Sequence, residues 1–124
     1  MAIHYSVSRT SAATLSVPAG TSIRAYVATA SSGTQTFTLP KASLGGQVFS
    51  FICGDAGGEI LINPLSSDGI SMKASEGGAS LAPAAGTGVR NTAANNVVDD
   101  RVTLLSDGVS TWYAIEQSGT WASQ

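Results

Sequence analysis

Short runs of alternating hydrophobic and polar residues cover most of the chain. The runs are bounded by Gly, Pro, Asp or Ser and span residues 4–9, 23–29, 35–40, 47–53, 59–63, 69–72, 100–108 and 110–117. A period of two residues is typical of β-strands with one buried face, whereas the period of an amphipathic helix is nearly absent. The pattern therefore predicts a single all-β domain over residues 1–124, built as an antiparallel β-sandwich or a small, jelly-roll-like β-barrel.

The alternation also predicts which side chains face the core. Phe37 and Leu39 are predicted to point inward from one run. Phe49, Phe51 and Cys53 align on one face of the next run. Cys53 is the only cysteine in the chain, so no internal disulfide can form, and a free thiol on such a face behaves as a small hydrophobic group. We therefore expect Cys53 to be a core residue.

Residues 101–121 form the most strand-like part of the sequence and are predicted to fold as a closing hairpin. Asp107-Gly108 separates its two runs and favours a tight turn, because Gly readily adopts positive φ. Trp112 and Tyr113 are adjacent in one run and must point to opposite faces of a strand. Large rings supply much buried area, so the hairpin is expected to complete the core.

Two segments lack the alternating pattern and are predicted to be extended. Residues 1–20 are interpreted as an N-terminal arm. Residues 73–96 are rich in Gly, Ala, Ser, Thr and Asn with few large apolar groups, and they are interpreted as a long loop or arm. Loops of this length in compact domains usually serve a function, so we expect these segments to order against a partner.

Composition narrows the possible partners. Charged residues make up 11% of the chain, against roughly 25% in a typical soluble domain. Six basic residues face eight acidic ones, so no basic patch is expected that would bind nucleic acid. The N-terminal residues lack the pattern of a secretion signal, and no apolar run is long enough for a membrane helix. Small, uncharged side chains suit surfaces that lie against other protein, which favours an oligomer or a large assembly.

Reactive side chains are sparse, and the sequence predicts no catalytic, cofactor-binding or metal-binding residue. His4 is the only histidine, so a Ser–His–Asp arrangement would need a base four positions from the first residue. The Gly-rich pieces around Gly57 and Gly86 lack the Gly-Lys-Ser/Thr ending of a phosphate-binding loop and are interpreted as turns. We therefore expect a protein that is not an enzyme.

Oxygen-bearing side chains cluster before the last hairpin. A metal is one interpretation of this cluster, but the spacing does not match a calcium-binding loop. The favoured interpretation of the cluster is a solvated turn, or an ion pair with Arg101 or Arg90. Asp55 and Glu59 are likewise interpreted as turn acids rather than paired catalytic carboxylates. The cluster consists of Asn95, Asn96, Asp99 and Asp100.

The order of several short motifs resembles a module of structural proteins from tailed bacteriophages. The pieces are TFTLP (36–40), QVFSFICGDAGGEILINP (47–64), SSDGI (66–70) and VTLLSDGVSTWYAIE (102–116). The resemblance covers about residues 35–72 and 101–121. It implies a β-rich, usually trimeric virion component, such as a capsid decoration (cement) protein, a head fibre or part of a tail fibre.

The resemblance and the composition together predict a capsid decoration protein that forms a homotrimer and binds the phage major capsid protein. Such a protein would be made in the bacterial cytoplasm and would occupy the virion surface. The segments 1–20 and 73–96 are the predicted capsid contacts. The side chains predicted to lie at subunit or capsid interfaces are Tyr5, Val7, Leu81, Arg90, Trp112, Tyr113 and Trp121.

A second interpretation is also a virion protein, but one with a receptor-binding function. An exposed aromatic ring among Trp112, Tyr113 and Trp121 would stack on sugar rings, as in head- or tail-fibre modules that contact host glycans. The interface interpretation is favoured because Trp and Tyr commonly anchor protein interfaces.

Overall fold

The computed structural model describes residues 6–81 and 83–124, and over these residues it contains twelve β-strands and no helix. The all-β prediction is confirmed. No helix in this part of the chain is long and apolar enough to cross a membrane. The strands are β1 (Ser6–Thr10), β2 (Thr14–Ser16), β3 (Arg24–Ala28), β4 (Thr34–Thr38), β5 (Val48–Cys53), β6 (Glu59–Asn63), β7 (Gly69–Lys73), β8 (Ser80–Leu81), β9 (Val89–Asn91), β10 (Arg101–Ser106), β11 (Thr111–Ser118) and β12 (Ala122–Ser123).

The strands form two sheets that share one core, which is consistent with a β-sandwich. Sheet A has seven strands in the order β1-β3-β5-β10-β11-β7-β8, and sheet B has five in the order β12-β9-β6-β4-β2. The predicted antiparallel arrangement is wrong, because both sheets are mixed. The pairs β1–β3, β3–β5, β2–β4, β4–β6 and β7–β11 run parallel. The jelly-roll-like arrangement is not confirmed.

The parallel pairs arise because the chain crosses between the sheets after each of the first six strands. Strands β1, β3 and β5 lie side by side in sheet A, and β2, β4 and β6 lie side by side in sheet B. The Gly-rich stretch at 54–58, interpreted from the sequence as a turn, carries the chain from sheet A to sheet B. Gly57 has a φ of 105°, and a Cβ at Gly58 would overlap the carbonyl oxygen of Ala30. This crossing therefore requires glycine.

Aromatic rings from both sheets form the centre of the core. The Phe37 ring of β4 lies 5.8 Å from the Tyr26 ring and 5.2 Å from the Phe51 ring, measured between centroids. The Phe49 and Trp112 rings are 5.6 Å apart. Each such pair adds about 0.5–1.5 kcal/mol beyond the area that it buries. The predicted inward faces of Phe37, Phe49 and Phe51 are confirmed.

The predicted closing hairpin is present as the antiparallel pair β10–β11, and β10 also pairs with β5. Its turn is held by Asp107, whose Oδ1 atom accepts hydrogen bonds from the backbone N–H groups of Val109, Ser110 and Thr111 at 2.7, 3.0 and 3.1 Å. These hydrogen bonds lower the pKa of Asp107, and the bond from Thr111 has the largest effect.

A β-bulge interrupts this hairpin. Leu104 lies opposite Ala114, whereas Thr103 lies opposite Glu116, so Ile115 is the extra residue of β11. Ile115 is 56% exposed. A bulge re-aims the side chains around it and locally increases the strand twist. Here alternation already puts Ile115 on the same side of sheet A as Tyr113, and the bulge puts Glu116 on that side too, opposite Thr103.

The two segments predicted to be extended contain strands. In the first 20 residues, β1 pairs with β3 and β2 pairs with β4, so the described part of the predicted N-terminal arm belongs to the sheets. The segment 73–96 is interrupted by β8 and β9, and β9 lies between β6 and β12 in sheet B. Val89 and Asn91 are buried there. Short strands made of small residues give little hydrophobic pattern. The sequence therefore does not reveal the strands in these two segments.

Candidate functional site

Side chains with reactive groups are dispersed over the described structure. No group of three or more His, Cys, Asp or Glu side chains in residues 6–81 and 83–124 is close enough together to hold a metal ion. His4 lies outside the described residues. The Cys53 thiol is buried, as predicted, and its Sγ lies 3.4 Å from the carbonyl oxygen of Asp55. Burial raises the pKa of this thiol, and the nearby charge of Asp100 adds to the effect.

The predicted oxygen cluster serves the backbone of its own loop. The Asp100 carboxylate accepts hydrogen bonds from Asn91 Nδ2 at 3.0 Å and from the Val97 N–H at 2.9 Å. Asn96 Oδ1 accepts a hydrogen bond from the Gly57 N–H at 3.0 Å, which ties this loop to the glycine turn after β5. The cluster therefore shapes a connection between elements.

The ion pairs expected near this cluster form elsewhere. Arg101 Nε donates to Glu116 Oε1 at 2.8 Å, and Arg90 lies 4.0 Å from Glu59. The hydrogen bond to Glu116 raises the pKa of Arg101. Among the described residues, Asp99 forms no ion pair with either arginine. Its φ is 81°, which is uncommon for a residue other than glycine. The prediction that these arginines pair with the aspartates is corrected accordingly.

An apolar surface lies on the side of sheet A that points away from the core, here called the outer face. One row across the strands contains Val48, Leu105 and Tyr113, in register on β5, β10 and β11. A second row contains Val27 and Ile52, in register on β3 and β5. The outer face is made of Val27, Val48, Ser50, Ile52, Arg101, Thr103, Leu105, Tyr113, Ile115 and Glu116.

A polar strip separates the two apolar rows, and its groups are paired with one another. The hydroxyls of Ser50 and Thr103 are 2.8 Å apart, and Thr103 Oγ1 lies 3.3 Å from Glu116 Oε2. Glu116 also accepts the hydrogen bond from Arg101. The positive and negative charges of the strip are thus already paired with each other. This pairing lowers the desolvation cost of covering the strip with another protein.

A shallow groove of about 520 Å³ lies at one end of the outer face. The bulge residue Ile115 forms part of its wall. Gln117 closes another part, since its amide bonds both the N–H and the C=O of Lys73 at 3.1 and 2.8 Å. The groove is lined by Lys73, Glu76, Gly77, Arg101, Ala114, Ile115, Glu116, Gln117 and Ser118. This combination of charged, amide and apolar groups suits a polar ligand with some apolar surface.

The side chains predicted to be interface residues do not form one surface. Tyr113 is 47% exposed on the outer face, and Val7 is 61% exposed on β1. Leu81 is partly buried against the core. Arg90 lies in sheet B, half exposed beside Glu59. Tyr5 lies outside the described residues.

Trp112 and Trp121 belong to the core and not to an exposed interface. They are 0% and 2% exposed, and the Trp121 indole N–H donates to the carbonyl oxygen of Ser118 at 2.9 Å. Within residues 6–81 and 83–124, the Trp112 indole N–H has no hydrogen-bond partner. The two adjacent rings point to opposite faces, as predicted, and it is Tyr113 that points outward. The outer-face residues Leu105, Ile115 and Val48 were missed as interface candidates, although their alternation with core residues was visible in the sequence.

Comparisons with known proteins add no family to this description. A comparison with models of known protein families finds no match to the chain. A comparison with curated proteins finds none either.

Proposed function

We propose that this chain is a structural component of a tailed-phage virion, a capsid decoration protein that acts as a homotrimer and without catalysis. The single observation that carries the proposal is the outer face of sheet A. A seven-stranded sheet there presents two apolar rows around a polar strip whose charges are already paired. Surfaces of this kind are covered in assemblies, because covering them removes apolar area from water and strands few charges.

The outer face supports the contact between subunits of the trimer. Tyr113 is its most suitable anchor, because the ring is 47% exposed and stands beside Leu105 on the neighbouring strand. Ile115 extends the same surface, since it lies two residues after Tyr113 on the same face and is 56% exposed. Aromatic anchors surrounded by apolar contacts carry much of the free energy of typical protein interfaces.

The mechanism would be mechanical. A trimer bound across the joints between major capsid subunits adds buried area to contacts that internal pressure pulls apart. A patch of about 1,600 Å² in total is enough for a specific, stable association. The exposed valines Val97 and Val98 at one end of β10, and Leu44 at the other, offer further apolar contacts for such a partner.

The experiment measures the mass of the purified chain in solution and its binding to capsids stripped of decoration protein. We expect a trimer that rebinds the capsids. Tyr113→Ala and Ile115→Ser should shift the mass toward the monomer while the folded state persists, because both side chains lie outside the core.

Val109→Ala is the matched control, since this valine is 73% exposed at the hairpin turn and outside the outer face. It should leave the mass unchanged. A chain that is monomeric at all concentrations and ignores stripped capsids would contradict the proposal. A trimer that is equally stable in the Tyr113→Ala and Val109→Ala variants would place the interface elsewhere and remove the observation on which the proposal depends.

The second candidate function is a fibre module that binds host glycans. It is favoured by the groove, whose wall residue Ala114 directly follows the 47%-exposed Tyr113 in β11. Sugars combine ring faces that stack on aromatic groups with hydroxyls that bond to charged and amide groups. Binding on a glycan array that is lost in Tyr113→Ala and in Gln117→Ala supports this function. An array without signal removes it.

A further inference from the structure

One end of the sandwich presents open edges in both sheets. In the described chain, β1 is the outermost strand of sheet A, and β2 is the outermost strand of sheet B. The two strands follow one another in sequence and pair with β3 and β4, which also follow one another. Both open edges therefore lie at the same end of the molecule.

The hydrogen-bond pattern shows which backbone groups at this end have no partner among the described residues. The Ser6 N–H donates to Ile23 and the Thr10 carbonyl accepts from Thr29, so alternate residues of β1 face β3. The groups of Val7 and Arg9 then point away from β3, because in a parallel ladder alternate residues face opposite neighbours. By the same pattern, the N–H and C=O groups of β2 residues 14 and 16 point away from β4.

The opposite end of the sandwich is different. Its edge strands are β8 and β12, which have two residues each. Very short strands, prolines and charges are the usual means by which proteins prevent edge-to-edge pairing. Strand β1 has five residues, no proline and one charge, that of Arg9. The end formed by β1 and β2 thus lacks the protection that the other end has.

We propose that this end docks against the same end of a second copy of the chain, with β1 antiparallel to β1 of the second copy about a two-fold axis at Ser8. The free groups of β1 are symmetric about Ser8. In this register, Val7 of each copy lies opposite Arg9 of the other, and each of the two pairs exchanges two backbone hydrogen bonds. A two-fold contact is self-complementary, so one exposed edge is sufficient to build it.

The charges of the edge set the strength of this contact. Arg9 faces an uncharged valine of the second copy, and the two arginines lie diagonally about 7–8 Å apart. Their repulsion is screened by salt, so the association strengthens as ionic strength rises. The β1 edge is separate from the outer-face anchor Tyr113, with β3, β5 and β10 between β1 and β11. The contact does not depend on the proposed trimer, and it would link trimers to one another where they form.

The first experiment measures the association of the purified chain by analytical ultracentrifugation. Val7→Lys places a positive charge opposite Arg9 of the second copy and should weaken the dimer roughly tenfold, since two symmetry-related pairs change. Val7→Glu should tighten it by a similar factor. Combining Val7→Lys with Arg9→Glu puts opposite charges across each pair again, so it should reverse the loss and give an affinity close to that of Val7→Glu. Val7 and Arg9 are exposed, so the fold is retained.

The second experiment tests the register. Ser8 of the two copies would form a pair without direct hydrogen bonds, with Cα atoms about 4.5 Å apart, which suits a disulfide. Ser8→Cys should give a covalent dimer under mild oxidation. Arg9→Cys, whose sulfur would face Val7, should give much less. The native Cys53 is 1% exposed and does not compete.

The outcomes separate this proposal from the trimer. Equal effects of Val7→Lys and Val7→Glu, or equal cross-linking of Ser8→Cys and Arg9→Cys, would overturn the two-fold contact. A chain without any edge-dependent association overturns it too, including one whose β1 edge instead accepts a strand of another protein. Loss of the trimer in Tyr113→Ala, with the Ser8→Cys cross-link retained, would leave the edge contact standing.

Discussion

Asn91→Asp tests the buried polar pair that connects β9 to the start of β10. Asn91 is 0% exposed, and its amide Nδ2 donates to the Asp100 carboxylate at 3.0 Å and to the Thr120 carbonyl at 3.1 Å. Asp100 is 7% exposed. The substitution keeps the shape of the side chain but replaces the donor with a second carboxylate. It therefore changes the hydrogen bonding and the charge with little change in packing.

The expected loss of stability follows from these contacts. A hydrogen bond to a charged group contributes about 1.5–3 kcal/mol, and the Thr120 carbonyl left without a donor costs at least ~1 kcal/mol more. Two buried carboxylates in contact add repulsion. We expect the free energy of unfolding to fall by about 3–5 kcal/mol at neutral pH. This is a large part of the roughly 5–15 kcal/mol that stabilises a typical domain.

The loss should depend on pH with a definite sign. In the folded variant, the introduced carboxyl binds a proton more tightly than in the unfolded chain, so its pKa in the folded state is raised. The penalty is complete above this raised pKa and decreases as the pH falls through it, since one shared proton restores a hydrogen bond between the two carboxyls. Urea denaturation of the wild type and the variant at pH 7 and at mildly acidic pH measures the difference.

Asn95→Asp is the matched control, because it makes the same chemical change four residues away on an exposed side chain. Its effect should stay within about 0.5 kcal/mol. If Asn91→Asp is no more destabilising than Asn95→Asp at pH 7, or if its loss is the same at both pH values, then Asn91 and Asp100 are not the buried pair described above.

Two further predictions concern the turns. Asp107→Asn should make the free energy of unfolding less dependent on pH in the acid range. Because the pKa of Asp107 is lowered in the folded state, its stabilisation is present above the pKa of an unfolded aspartate and is lost as the pH falls through the folded value. The stabilities of wild type and variant should therefore converge when both are measured at decreasing pH. Gly119→Ala should lower the free energy of unfolding clearly more than Gly33→Ala, for which about 1–2 kcal/mol is expected. Both glycines have positive φ, but only at Gly119 would the added Cβ overlap the Asp100 carboxylate. Equal losses of stability in denaturation experiments would show that the carboxylate moves aside freely.

The sequence was sufficient to predict the strands with strong alternation, and with them much of the core. Phe37 points inward because Thr36 and Thr38 on either side of it specify the other face. Phe49 and Phe51 share one face because they lie two residues apart in one strand. Trp112 and Tyr113 point to opposite sides for the same reason. These assignments depend on neighbouring residues within one strand, so they need no knowledge of which strands pair.

Strand pairing could not be obtained in the same way. An antiparallel hairpin and a crossing to the opposite sheet both need a short Gly-rich turn between two alternating runs, and GDAGG was compatible with either. The difference depends on distant contacts, such as the close approach of Gly58 to Ala30. The apolar outer face was missed as a site for a related reason, since Val48 and Leu105 become neighbours only when β5 and β10 pair.

The repeated crossing between the sheets has a consequence for how the chain reaches its native state. Strands β1, β3 and β5 become neighbours only after the chain has passed through the other sheet, so each of these contacts must close a long loop before it contributes stability. Proteins dominated by such distant pairings refold over milliseconds to seconds, far more slowly than helical bundles. The β10–β11 hairpin closes over a short turn and can form early, providing an edge on which β5 and then the remaining parallel strands assemble.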